Sequence, residues 1–188
     1  MLKEPERDCL NCRKMGNFCS GSFMGCPSFD PVRLFKKEKI IRGYACVGLD
    51  NPKFLSNVGS VLRASGVYGA KMVAIAGKRY SKQRTDTRKE FKHTPFLQVD
   101  NLESVIPYDC VSVAVDLIKG ATPLPDYKHP ERAFYIFGAE DATLGDRITS
   151  WCKDIIYIPS NGCMNLAATV NVVLYDRMAK RKEGREIS

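Results

Sequence analysis

The chain has no apolar run approaching the ~20 residues of a membrane span, and its mean hydropathy is −0.24. It opens Met1-Leu-Lys-Glu-Pro-Glu-Arg-Asp, without the apolar segment of a secretory signal. Both absences lead to the expectation of a cytoplasmic protein with no membrane partner and reduced thiols. Histidine is almost missing: only His93 and His129 occur, both in polar stretches expected to be loops. A Ser–His–acid triad therefore has little material to work with. No G-x-G-x-x-G follows the first expected strand and no Walker A pattern exists, so the common dinucleotide and nucleoside-triphosphate sites lack support. Internal repeats and low-complexity segments are also absent.

What is present begins with positive charge. The 188 residues carry a formal net charge of +8. The excess is clustered. Between Lys78 and His93 stand Lys78, Arg79, Lys82, Arg84, Arg88, Lys89 and Lys92 against only Asp86 and Glu90. Seven cations so close together repel one another without a polyanion, and nucleic acid is the expected partner. His93 inside this cluster suits contact with phosphate better than general-base work. A second basic group is Lys36, Lys37, Lys39 and Arg42, and a third is Arg177, Lys180, Arg181, Lys182 and Arg185. For the third, solvated surface is as good a reading as a binding patch.

Cysteine is plentiful and falls into two sets. Cys9, Cys12, Cys19 and Cys26 are spaced C-x2-C-x6-C-x6-C among Gly16, Gly21, Gly25 and Pro27. A leading C-x-x-C offers two thiolates from one turn, and two later cysteines can complete a tetrahedral site. Residues 1–30 have too few apolar side chains to fold alone, so a metal would supply the missing folding energy. Zinc is the first expectation, an iron–sulfur cluster the second, and metal-free thiols the third. Cys46, Cys110 and Cys152 sit among apolar residues and read as small buried hydrophobes.

A boundary is expected near Asp30-Pro31, followed by a basic connector over 31–43 and one larger domain over 44–188. Short apolar runs predict strands at Ala45–Leu49, Lys71–Ala76, Phe96–Val99, Val111–Val115, Phe134–Phe137 and Ile155–Ile158. Between the first two, Ser56 can cap a helix whose positions Val58, Val61, Leu62 and Ser65 keep helical spacing, with Gly66 as its end. Its other face, Ser56, Gly59, Ser60 and Arg63, is small apart from one long cation. Helices are also expected at Leu102–Ile106, Leu144–Trp151 and from Asn165 to about Arg181. Strands alternating with helices imply an α/β fold: a mostly parallel sheet with helices on both faces.

In such sheets ligands bind beyond the carboxyl ends of the strands. Three loops qualify: the one after Val115, Gly138-Ala-Glu140, and Pro159 to Asn165. With histidine excluded, chemistry there has to run on Arg63, Glu140 and backbone dipoles.

Three segments then combine. Asn57-Val-Gly-Ser-Val-Leu-Arg63-Ala-Ser-Gly-Val-Tyr-Gly69, Ile136-Phe-Gly-Ala-Glu140 with Leu144-Gly145, and Ile158-Pro159 followed by Met164-Asn165-Leu166 resemble the three motifs of the SpoU/TrmH family of RNA ribose methyltransferases, within the SPOUT superfamily. Order and separation match over roughly Tyr44 to Lys182. The resemblance implies a C-terminal trefoil knot, a homodimer, S-adenosylmethionine bound in the knot, and methyl transfer to a ribose 2′-hydroxyl. By position, Leu117, Gly138, Ile158, Asn165 and Leu166 would hold the cofactor, and Arg63 would be the catalytic arginine, supported by Asn57 and Glu140. Cys163 stands where the family usually has serine, so that contact would be made by a larger, weaker hydrogen-bonding group. Because a guanidinium scarcely deprotonates, Arg63 suits stabilising an alkoxide or clamping a phosphate better than acting as a base. A compact RNA such as tRNA is expected ahead of rRNA. A catalytically silent RNA-binding relative and a base methyltransferase are the alternatives.

Overall fold

The computed structural model describes residues 42–77 and 89–182. Cys9, Cys12, Cys19, Cys26, Lys78, Arg79, Lys82, Arg84 and Arg88 lie outside the described residues. The chain divides between Ile41 and Arg42, and the described residues belong to the second unit.

Apolar runs too continuous for a half-solvated sheet must be covered on both faces. Seven strands meet this need: β1 (Tyr44–Asp50), β2 (Met72–Ala76), β3 (Phe96–Val99), β4 (Val111–Val115), β5 (Thr122–Pro123), β6 (Arg132–Phe137) and β7 (Asp154–Tyr157). They lie in the order β3-β2-β1-β6-β4-β7-β5, and every neighbouring pair runs parallel. Two-residue β5 ends in a proline, which cannot donate to a ladder and so belongs at a sheet edge. Its brevity is why the sequence pattern does not reveal it.

Alternate residues of each strand feed two cores. Val47, Leu49, Val73, Ile75, Val113, Tyr135 and Phe137 pack against helices α1 (Leu55–Tyr68) and α3 (Leu166–Lys182). Cys46, Ala74, Ala114, Phe134 and Ile136 face the other way, onto Leu102, Leu144 and Ile148. The second face has less helix than expected. α2 is only Asp146–Thr149, and Glu103–Val105 is a single 3₁₀ turn. Among the described residues no helix is long and apolar enough to cross a membrane.

Helix α1 departs from expectation at both ends. Ser56 does not cap it; Phe54 takes that position and makes no side-chain cap bond. Gly66 does not end it. The helix runs on to Tyr68 and stops at Gly69, whose φ of +70° is the left-handed geometry glycine adopts freely. Gly66 is there for a different reason: a Cβ on it would fall 2.2 Å from Cδ of Glu90. Glu90 is buried, in the 3₁₀ turn Glu90–Lys92 that closes the basic segment, and accepts a hydrogen bond from Thr94 Oγ1 at 3.2 Å.

α3 begins as expected. Asn165 Oδ1 accepts the N–H groups of Ala167 and Ala168 at 2.9 and 3.3 Å, a side-chain N-cap. Leu166, Val170, Val173 and Leu174 form its buried stripe, with Met178 only half-buried.

Of the third basic group, Arg177, Lys180 and Arg181 turn inward rather than to solvent. Arg177 is 4% exposed and donates to the carbonyls of Pro130 (2.6 Å), Glu131 (2.7 Å) and Tyr44 (3.1 Å) and to Tyr135 Oη (3.1 Å). Lys180 Nζ reaches the carbonyls of Leu124 and Tyr127, and Arg181 those of Arg42 and Glu131. These cations pin α3 to the amino ends of the strands. His129 joins them. Expected in a polar loop, it is 3% exposed, receives the Tyr135 hydroxyl proton at Nδ1 (2.6 Å) and donates from Nε2 to Asp176 (2.8 Å).

Candidate active site

A cavity of about 520 Å³ opens beyond the carboxyl ends of β4, β6 and β7. All three loops expected to hold a ligand line it: Val115–Leu117, Phe137–Thr143 and the turn from Tyr157 to Leu166. Leu117, Gly138, Ile158, Cys163 and Leu166 are all on its wall, as is Glu140. Leu117 is 72% exposed and forms the rim. Gly138 has little room of its own, since a Cβ there would approach Leu144 Cγ at 3.3 Å and the Ala142 carbonyl at 3.4 Å. Glycine here spares those neighbours a shift of a few tenths of an ångström. The turn is shaped by Ser160 Oγ donating to the Gly162 carbonyl at 2.8 Å. Cys163, exposed, presents its thiol at this wall in place of a hydroxyl.

Behind the cavity a chain of polar side chains ties the three motifs together. Asn57 Nδ2 donates to Glu140 Oε1. Asn165 Nδ2 donates to Asn57 Oδ1 at 3.1 Å, and Asn165 Oδ1 caps α3. Glu140 Oε2 accepts the main-chain N–H of Lys53 at 2.8 Å. Asn57 is buried, so an unpaired amide there would be costly; each of its two polar atoms has one partner. Asn165 lies beside the cavity rather than in its wall, its side chain already committed to the cap and to Asn57.

Arg63 is not brought to this group. It follows Asn57 by six positions on α1, ~240° around a helix of 3.6 residues per turn. It is exposed and makes no hydrogen bond or ion pair among the described residues. Its guanidinium is thus unspent. Lys89 and Lys92 of the basic segment are exposed, and so is His93.

Two positioning groups escaped the sequence reading. Asp116 Oδ1 accepts Leu117 N–H and Oδ2 accepts Leu144 N–H, both at 2.7 Å, which holds the β4 and β6 loops against each other. An aspartate directly after an apolar strand was the available signal. Arg147 Nη2 donates to both oxygens of Asp50 at 2.8 and 2.7 Å, joining α2 to the end of β1; sequence spacing contains no trace of that pairing.

Elsewhere the thiols are quiet. Burial pushes Cys46 and Cys152 up to about 12 and Cys110 up to about 11, so none is a thiolate at neutral pH. Among the described residues no cluster of three or more His, Cys, Asp or Glu is arranged to hold a metal.

The parallel sheet, the cavity at its carboxyl ends and the bonded motifs define an α/β protein with a ligand-sized cavity, and similarity to known proteins specifies its family. Residues 44–175 match the model of the SpoU rRNA Methylase family, and the chain belongs to that family. No curated relative matches it by sequence. The SpoU methyltransferase AviRb from Streptomyces viridochromogenes, in complex with AdoMet, superposes with a TM-score of 0.68 at 22% identity, over 76% of this chain and 59% of that one. The A. aeolicus TrmH/SpoU tRNA modifying enzyme gives 0.66 at 20% identity, over 74% and 76%. A protein solved for the 2-OH methylation of C/U34 on tRNA gives 0.66 at 18% identity, over 76% and 99%. The chain thus spans about three fifths of AviRb and nearly all of the last.

Proposed function

We propose that the protein is an S-adenosylmethionine-dependent RNA methyltransferase acting on a ribose 2′-hydroxyl, with tRNA ahead of rRNA as substrate. The observation that carries this reading is the chain Glu140–Asn57–Asn165, which joins all three motifs directly behind a cavity of nucleoside scale. Pockets for small ligands run to roughly 300–1,000 Å³, mostly apolar with a few placed polar groups. The residues present fit the cofactor. Leu117, Ile158 and Leu166 offer apolar walls, and main-chain N–H and C=O groups around Gly138 and Cys163 can read an adenine edge. When bound, S-adenosylmethionine supplies a methyl group on a sulfonium, open to in-line displacement by an oxygen nucleophile. The protein's part is to hold that hydroxyl in line, which can contribute up to ~7–11 kcal/mol toward a barrier.

Glu140, bonded by Asn57 and the Lys53 N–H, orients the loop that forms the cavity wall. Arg63, without a partner among the described residues, meets the RNA: its fixed charge stabilises the developing alkoxide or clamps an adjacent phosphate. In the proposed homodimer its guanidinium is available to either subunit. Lys78, Arg79, Lys82, Arg84, Arg88, Lys89 and Lys92 neutralise phosphates, making affinity fall steeply with salt. The trefoil knot is proposed with the family, consistent with β4 lying between β6 and β7 although it precedes both in the chain. The four thiolates of Cys9, Cys12, Cys19 and Cys26 are proposed to hold one structural zinc, a donor set suited to tetrahedral coordination; metal-free purified full chain that remains folded refutes this. The setting is cytoplasmic.

The test is label transfer from S-adenosylmethionine to bulk tRNA and rRNA, followed by nuclease digestion and nucleoside identification. A 2′-O-methylated nucleoside is expected, with Arg63→Ala lowering transfer at least ~100-fold and leaving thermal stability within ~0.5 kcal/mol. Cofactor binding without transfer to any RNA sinks the enzymatic reading in favour of a silent RNA binder. A methylated base would move it to another acceptor.

A further inference from the structure

We propose that Lys53 and Phe54 form a stacking platform for an unpaired nucleobase at the mouth of the cavity, an inference that rests on the RNA substrate proposed above. Phe54 occupies the N-cap of α1, where Ser, Thr, Asp and Asn are strongly preferred because their side chains satisfy free N–H groups. It makes no such bond, and its extended backbone (φ −102°, ψ 112°) would suit a polar cap equally well. The side chain does not compensate by packing, being 53% exposed although phenylalanine is among the residues most often buried. Folding stability explains neither feature. Ligand contact explains both.

The ring's surroundings name the ligand. Lys53 Nζ stands 5.5 Å from the ring centroid, within the ~6 Å reach of a cation–π contact. Lys53 is itself held in place. Its N–H donates to Glu140 Oε2 at 2.8 Å, and its ammonium pairs with Asp141 Oδ2 at 3.2 Å. Glu140 and Asp141 both line the cavity, so Lys53 is fastened to two residues of its wall. A half-exposed aromatic ring with a cation over one face suits a nucleobase, since every base offers a π face that can stack on the ring. The chain's net charge of +8 favours a polyanion over an apolar peptide as its partner.

Two readouts test it. The first is the KM for bulk tRNA in methyl transfer by the full chain. Phe54→Leu keeps the apolar bulk and removes the π face, and should raise KM about tenfold, with cofactor affinity unchanged; Phe54→Trp should restore it. Phe54→Ser supplies a preferred cap, so it should raise Tm while raising KM, a split that a structural role for Phe54 would reverse. The second is direct: a single-stranded oligoribonucleotide carrying 2-aminopurine should be quenched by the wild type and by Phe54→Trp, and not by Phe54→Leu. An active wild type whose Phe54→Leu variant keeps the same KM overturns the proposal, as does quenching that survives the substitution. A change in oligomeric state in Phe54→Leu would instead assign the ring to a subunit contact and also overturn it. If no RNA is methylated, the proposed function fails while the quenching experiment still decides the platform.

Discussion

At the carboxyl ends of the strands, Glu140, Asn57 and Asn165 bond to one another beside an open cavity, and Arg63 nearby on α1 has no partner among the described residues. At the amino ends, His129, Tyr135, Asp176 and Arg177 bond to one another and to main-chain carbonyls, with all but the half-buried Asp176 almost closed to water. The inventories are similar: a cation, a carboxylate, hydrogen-bonding side chains. The difference lies in saturation. Around Arg177 every contact is made in a low-dielectric interior, where losing one partner leaves others unpaired and costly. Around Glu140 the groups share partners, but Glu140 itself keeps a face to the cavity and so to a ligand. Closure makes one end a fastening for α3, and incompleteness makes the other a site.

The strongest way to break this comparison is at Arg177. Arg177→Met takes the guanidinium from the carbonyls of Pro130, Tyr44 and Glu131 and from Tyr135 Oη, of which Glu131 keeps Arg181 and Tyr135 keeps His129, and should cost ~3–5 kcal/mol in urea unfolding. A loss below ~1 kcal/mol would show that the fastening is incidental.

His129 sharpens the contrast through pH. Burial drives its pKa from 6.5 down to about 4, with the Asp176 carboxylate pulling the other way and Arg177 and Lys180 reinforcing the fall. The folded protein keeps the ring neutral while the unfolded chain protonates below about 6.5. Stability is therefore fully present above that pH and is lost as pH falls toward about 4, by up to ~3 kcal/mol. Unfolding titrations at pH 7 and 4.5 should show the difference, and His129→Gln should remove most of it. Equal pH dependence in both proteins would contradict a buried neutral imidazole.

Asn57→Ala gives the smallest effect on folding. Glu140 retains the Lys53 N–H and Asn165 retains its cap, so the expected loss is ~1 kcal/mol. Methyl transfer should nevertheless fall by ~10-fold or more. A variant as unstable as Arg177→Met would erase the distinction between the two ends.

Much of this was legible before any coordinates. The runs around Val47, Val73, Val113, Phe134 and Ile156 announced buried parallel strands because continuous β-branched and aromatic sequence has few other destinations. The loops bearing Leu117, Gly138 and Cys163 were foreseeable because ligands gather at the carboxyl ends of such strands. Misreadings arose where a local rule met a distant partner. Gly66 looked like a helix end, but it is the one residue that leaves room for Glu90. His129 looked solvated in a polar stretch, yet Tyr135 and Asp176 bury it. Arg177 looked like surface charge until the carbonyls of Tyr44, Pro130 and Glu131 were found around it.

The sequence by itself determined the α/β class, the family motifs in Asn57–Gly69, Gly138–Glu140 and Pro159–Leu166, and the cap at Asn165, since all depend on periodicity or on neighbours within a few residues. Only the tertiary structure decided that Asn57 joins Glu140 to Asn165, that Arg63 points away from them, and that Phe54 stands open beside Lys53. Those relations cross up to 108 residues of chain, and side-chain pairing at that range is set by how the sheet brings the loops together, which no local spacing encodes.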